Sequence, residues 1–475
     1  MAALSRSATR EKSRQIAAVS VTNLRWLLNP AVVAMLFAAG CQDKPAGNQQ
    51  ASGTASKALP AQEEAQNQCE PVLASIDDIF QLQRLGRTTA VRDGVARLND
   101  WQRLCGPEDE AARPALPPEV EKLCSSEQIK ALSERRFGPR DGEHLRDCLL
   151  ERAIARYAVG NTQNELEKIT HLFGHVVRSV GLISEASREL PLTPYEIYLL
   201  GKGTAQDRAW IFINVLRQMR IDAVLIFPAS ADVNREIGSE GEPFLVGVLL
   251  DDQVFLFDPQ SGVAIPKKSG ADGRKPPEGP VTLVEAATDS TVFQQLGTGP
   301  RPYPIRAEDV ARPIVAIAGD TSFWSGRMQA LQAQFVGDRA LVIADPLENG
   351  KDGSPGIWSR VAKAGGEFWS SADMRLWSYP ETRLARHVQM SQSEEDALTG
   401  LMRPFGAYKN VVTNPSTGKT HLVEREATQD PAGDKEQHPD VHVNVRTTAG
   451  QQMRARLAQL SGDFVEAIRT YTEVR

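Results

Sequence analysis

The chain has 475 residues, too many for one ordinary hydrophobic core, so two or three domains are expected. Hydrophobic residues make up 41% and charged residues 24%, an ordinary soluble balance. The net charge of −6 excludes a nucleic-acid binder, because phosphate contacts need a basic surface, and the 6% aromatic content excludes a stacking platform for single strands.

Residues 1–41 read as an export signal. Arg6, Arg10, Lys12, Arg14 and Arg25 form a basic start, and "WLLNPAVVAMLFAAG" (26–40) is an apolar core too short to span a bilayer comfortably. It ends in "AAGC" at Cys41, which resembles the lipobox of bacterial lipoproteins. That resemblance implies lipidation of Cys41 and a membrane anchor in the cell envelope, on the periplasmic side; a plain secretory signal is the alternative. Residues 42–68, rich in Gln, Ala, Ser and Gly with no apolar period, are expected to be a disordered tether.

Residues 69–160 are expected to form an α-helical module. Apolar positions from Val72 to Leu85 and from Val91 to Trp101 recur at helical spacing on either side of Gly86, an antiparallel hairpin. After a proline-rich connector (106–120), helical spacing returns over 121–134 and from His144 to Tyr157. Cys69, Cys105, Cys124 and Cys148 allow three disulfide connectivities. Sequential pairing, Cys69–Cys105 and Cys124–Cys148, is the expectation, because each pair brackets two helical patterns. No CxxC spacing supports zinc, and free thiols are the remaining reading.

Over 164–183 a helix is expected, capped by Asn161 or Thr162. Residues 187–203 read as an irregular loop. From Ala205 to Arg220 a helix carries the stripe Ala209, Phe212, Ile213, Leu216 and Met219, and "IDAVLIFP" (221–228) follows as a buried strand. "FLVGVLL" and "VFLFD" flank "DDQ" as a hairpin. Residues 267–280 are a polar loop. "ARPIVAIAG" and "RALVIADP" are the best strands of 281–345, with a helix from Ser322 between them. Residues 346–445 show no assignable pattern, and 411–440 read as a long polar loop. Residues 446–475 read as helix, turn at Gly462-Asp463, helix, and resemble the second half of a tetratricopeptide unit, with small Ala467 and aromatic Tyr471.

The stretch 164–262 resembles the transglutaminase-like superfamily. Gly201 and Gly203 match its loop glycines, Asp207 and Ala209 match the residues after its cysteine, and Asp258-Pro259 matches its aspartate and the proline behind it. The resemblance implies a papain-like fold: an active-site helix on an antiparallel sheet, 161–345 in all, in which cysteine, histidine and aspartate make a thiol triad. Here Ala205 stands at the nucleophile position and Pro243 at the histidine position. No cysteine follows Cys148 and no histidine lies between His175 and His387, so no local shift restores either. Loss of the nucleophile removes about six orders of magnitude of rate in a triad enzyme.

Thr204, Asp207 and Arg208 remain as polar candidates in the cleft. Capping suits Thr204 better than nucleophilic attack, and Asp207 suits the helix dipole. His171 and His175 have metal-ligand spacing but no paired glutamate, and they read as surface residues beside an apolar stripe; His438 and His442 are a weaker pair. The chain therefore reads as an α+β protein: helical N-terminal module, transglutaminase-like domain (161–345), irregular extension (346–445) and C-terminal helical pair. No cofactor or metal is expected. Binding or scaffolding in the envelope, through an unknown protein or peptide partner, is the expected role. A hydrolase or acyltransferase with relocated residues, such as His387 or His421 beside Thr204, is the alternative.

Overall fold

The computed structural model describes residues 59–81, 85, 89–107, 116–188, 190–228, 242–267, 279–297, 300–349, 353–402, 405, 409–413, 420–424 and 448–474. The export signal with Cys41, most of the 267–280 loop, and His438 and His442 lie outside them.

Helices come first: α1 (Leu59–Ile79), α2 (Ala90–Cys105), the short α3 (Pro118–Glu121), α4 (Ser126–Ser133) and α5 (Pro139–Val159). The pairing of α1 with α2 is the expected hairpin, and Cys69–Cys105 closes it across Cα atoms 6.0 Å apart. Helix α1 starts inside the stretch read as tether, so residues 59–68 are helical. The expected Cys124–Cys148 bond is absent: both thiols are free. Cys148 sits in the core under α5, whereas Cys124 packs against a different core. Helical periodicity cannot tell which core a cysteine faces.

Next come α6 (Glu165–Ser179), α7 (Pro194–Leu200) and α8 (Ala205–Gln218), with β1 (Gly181–Leu182) pairing parallel to β2 (Lys202–Gly203). Asn164, rather than Asn161 or Thr162, caps α6 by accepting from the Glu167 N–H at 2.9 Å. The region read as an irregular loop holds α7, a short helix started by a Thr193–Glu196 capping box with Pro194 at its first position.

A six-stranded sheet follows. Its strands are β3 (Ala223–Phe227), β4 (Leu245–Leu250), β5 (Gln253–Asp258), β6 (Val263–Ala264), β7 (Ile314–Ala318) and β8 (Met374–Trp377), in the spatial order β6-β5-β4-β3-β7-β8. All neighbours are antiparallel except β7 and β8. The β4–β5 turn is Asp251-Asp252, both with φ near +55° (51 and 57), which suits the twist of a two-residue hairpin.

Both faces of the sheet are covered, and this explains the unbroken apolar strands. Ala223, Leu225 and Phe227 of β3 enter one core with α5, α6 and α8, while Val224 and Ile226 enter a second core on the other face. The second core receives α9 (Leu283–Thr288), α10 (Thr291–Gln294), α11 (Ala307–Val310) and α13 (Ile357–Ala364), and α12 (Gly326–Gln332) adds Met328 and Leu331 to the first. Because α1, α2 and α5 share the first core with the sheet, the helices read as a separate module are continuous with the α+β unit. Among the described residues no helix is long and apolar enough to cross a membrane.

Three expectations fail downstream. "RALVIADP" is not a strand: its buried backbone is satisfied by side chains instead of a ladder. Gln218 Nε2 donates to Val342 O at 2.7 Å, and Gln332 Oε1 accepts from Ile343 N and Ala344 N at 2.6 and 2.9 Å. The helix expected from Ser322 begins at Gly326, capped by Ser325. The stretch 346–445, read as an irregular extension, holds α13, β8, α14 (Tyr379–Val388) and α15 (Gln392–Met402), and a hairpin of β9 (Lys409–Thr413) with β10 (Thr420–Glu424) overlaps the part read as a long polar loop. Its β8 extends the central sheet.

The last two helices, α16 (Thr448–Leu460) and α17 (Phe464–Val474), form the expected pair around Gly462. Gly462 has φ +84°, and a Cβ there would lie 1.8 Å from the Tyr157 ring. Only glycine permits both the turn and this approach to α5. Arg456 ties α16 to the body, donating to the carbonyls of Tyr198 at 3.0 Å and Ser179 at 2.9 Å.

Candidate functional site

Ala205, Pro243 and Asp258 line one groove of about 920 Å³. Ala205 opens α8, Pro243 precedes β4, and Asp258 ends β5. Sheet register produces the convergence: Val246 pairs with Phe257, which puts the residues before β4 beside the end of β5. Helix α8 crosses this end with its N-terminus because its apolar residues, including Phe212, pack on Phe257 at 5.3 Å between ring centroids. Leu182, Phe244 and Ile305 supply apolar wall, and Glu185, Arg301 and Tyr303 supply polar wall.

Asp258 is 3% exposed, and its carboxylate is fully engaged. Oδ1 accepts from the backbone N–H of Gln260 at 2.7 Å and of Ser261 at 3.1 Å. Oδ2 accepts from the Ser261 hydroxyl and from the Tyr303 phenol, the latter at 2.6 Å. These four donors leave little capacity to orient another group. Burial, and then the Asp258 charge, push the Tyr303 phenol far above its ordinary pKa, so it stays a donor and cannot act as a base at neutral pH. Arg208 holds the adjoining loop: Nε donates to Val180 O at 2.8 Å and Nη1 to Pro259 O at 3.1 Å.

The first turn of α8 is locked from behind. Thr204 is fully buried and forms a capping box with Asp207: its amide donates to Asp207 Oδ2 at 2.9 Å, and its hydroxyl accepts from the Asp207 N–H at 3.3 Å. Arg188 donates to the Thr204 hydroxyl at 2.6 Å, to the Tyr379 phenol at 2.6 Å and to Asp207 Oδ2. Tyr379 donates to Asp207 Oδ1 at 2.8 Å. Thr204 and Asp207 are therefore tied into the helix start, and among the described residues no imidazole hydrogen-bonds the Thr204 hydroxyl.

The histidines whose side chains are described lie elsewhere. His387 bonds Glu196 at 3.0 Å, on the far side of α7's capping box. His171 faces Thr162 at 3.3 Å and His175 faces Ser179 at 3.2 Å, so the two turn to different partners; His175 is buried rather than a surface residue. The side chain of His421 lies outside the described residues.

One thiol–imidazole–carboxylate chain does exist, unanticipated from the sequence. Cys148 Sγ lies 3.6 Å from His144 Nε2, and His144 Nδ1 lies 3.9 Å from Asp320. It is not wired for attack. His144 Nε2 also contacts the Ile343 carbonyl at 2.8 Å, which only accepts, so this nitrogen carries a hydrogen and cannot take the thiol's proton. Burial, then Glu151, Asp147 and Asp320, hold the thiol well above its ordinary pKa. Burial likewise lifts Asp147 to about 6 despite its ion pair with Arg146 at 2.9 Å.

Sequence reasoning missed Arg188, Tyr303 and Tyr379. None lies on a periodic stripe with the groove residues, and Tyr379 reaches Asp207 across 172 positions. Comparison with protein-family models, with curated proteins and with solved structures finds no match to this chain.

Proposed function

We propose that the chain is a catalytically silent, transglutaminase-like binding protein, exported and anchored to the bacterial cell envelope by a lipid on Cys41. Its groove holds a polypeptide segment rather than transforming one. The observation that carries this reading is the groove itself. Positions 205, 243 and 258 meet there, but a methyl group and a pyrrolidine stand where a thiol and an imidazole would be needed, and the aspartate is saturated by Tyr303 and the Ser261 loop. The mixed apolar and polar walls suit an extended peptide, whose backbone needs donors and acceptors and whose side chains need apolar contact. The Cys69–Cys105 disulfide accords with an oxidising compartment.

Two measurements test it. Peptides selected from a random library against the purified chain should bind the wild type and lose at least about tenfold in affinity for Ala205→Trp, which fills the groove. Peptide cleavage and amine cross-linking should both stay at background. Turnover that disappears in Asp258→Ala, or in Cys148→Ala, would establish the alternative, an enzyme with relocated residues. Separately, Cys41→Ser should move the chain from the membrane fraction to the soluble one; unchanged membrane association would remove the lipid anchor.

A further inference from the structure

A second cavity of about 340 Å³ lies away from the groove, where the end of α5 and α6 meet the C-terminal helix pair. Its polar lining is Tyr157, His175, Arg178, Ser179, Arg456 and Gln459, and among the described residues no carboxylate lines it. Arg456 spends three of its five N–H donors on neutral oxygens: Tyr198 O, Ser179 O and Gln459 Oε1, the last at 3.1 Å. Arg178 is exposed and makes no ion pair among the described residues. Both guanidinium groups act on His175: burial first, then Arg178 and Arg456, hold its imidazole down to about 4. Two cations thus face one polar cavity with no counter-ion among the described residues.

We propose that this cavity binds a tetrahedral oxyanion of the sulfate or phosphate type between Arg178 and Arg456, with the hydroxyls of Ser179 and Tyr157 as further donors. An anion there neutralises both guanidinium groups and takes charge-assisted hydrogen bonds from the donors Arg456 leaves uncommitted. The cavity is larger than a bare oxyanion, and Leu460 and Phe464 line its remainder, so a small phosphate ester also fits. Occupancy would strengthen the docking of α16 and α17, because the ligand touches both sides of that junction.

The test follows the ring signals of His175, assigned by their loss in His175→Gln, in sulfate and in chloride of equal ionic strength. Sulfate keeps its charge across the range, so it separates binding from titration of the ligand. The expected result is a His175 midpoint at least about one pH unit higher in sulfate than in chloride, with saturation at millimolar concentration. Arg178→Gln should weaken binding by roughly tenfold. Arg454→Gln, whose guanidinium pairs with Glu466 at 3.4 Å and does not line the cavity, should leave it unchanged. Inorganic phosphate and glycerol 3-phosphate, run at one pH, then distinguish a free ion from an ester by which binds more tightly. Identical His175 titration in sulfate and chloride overturns the proposal. So does an Arg178→Gln chain that binds sulfate as the wild type does.

Discussion

Replacing Arg188 with methionine is expected to destabilise the protein by about 3–5 kcal/mol, the usual effect of stranding one member of a buried ion pair. The side chains of Arg188 and Asp207 are 6% and 1% exposed, so solvent screens neither. Arg188 also serves Thr204 and Tyr379, so its loss removes two hydrogen bonds from the start of α8 and one from the Tyr379 phenol that braces it. The variant leaves a carboxylate in the core with only Tyr379 and the Thr204 amide as donors. Burial already raises the pKa of Asp207 above its ordinary value even with Arg188 present, and removing the cation raises it further. A carboxylate whose folded pKa is raised contributes stability that is complete below its unfolded pKa and is lost as pH rises through the folded one. The deficit of Arg188→Met should therefore be smaller near pH 5 than near pH 8. Asp207→Asn in the same chain should restore part of the loss, since the two changes are strongly non-additive. Urea denaturation of the three chains at both pH values is the measurement. A single variant within about 1 kcal/mol of wild type at pH 8 would show that the network does not hold the helix start.

Removing the Cys69–Cys105 bond by a double change to alanine is the second large effect. The bond closes a sequence separation of 36 residues, for which chain-entropy arguments give about 3–4 kcal/mol. That loss should fall mainly on α1. Leu73 and Ile76 are buried, yet the helix joins the body chiefly through α2 and a few polar contacts, such as Arg339 to Asp77 at 3.2 Å. Amide exchange in α1 should accelerate by roughly 10²–10³-fold, while the central sheet keeps its protection. Reductant should reproduce the effect in wild type and add nothing in the double variant. Slow exchange in α1 after reduction would mean that packing against α2 alone holds the hairpin.

Several parts of the molecule were legible without coordinates because they rest on local chemistry. The stripe from Ala209 to Met219 could only be a helix with one strongly apolar face, and "FLVGVLLDDQVFLFD" contains both strands and the turn that joins them. The C-terminal pair announced its turn through Gly462. Short elements without a period were not legible: α7 rests on a capping box and one proline, and β8 has only four residues. "RALVIADP" misled because an apolar run records burial, not pairing. Its backbone found side-chain partners in Gln218 and Gln332, which the sequence places 124 and 11 positions away.

By itself, then, the sequence determined the absences: no cysteine after Cys148 and no histidine from 176 to 386, facts that no fold can reverse. It also determined the helix and hairpin whose ends carry Ala205 and Asp258. Tertiary structure alone decided that those ends meet at one groove, that Tyr303 occupies Asp258, and that Cys148 remains a buried thiol rather than half of a disulfide. The reason is the range of the forces involved. Capping, turns and amphipathic stripes act within a few residues and leave a readable period. A hydrogen bond such as Tyr379 to Asp207 depends on where two distant segments are packed, and packing leaves no pattern along the chain.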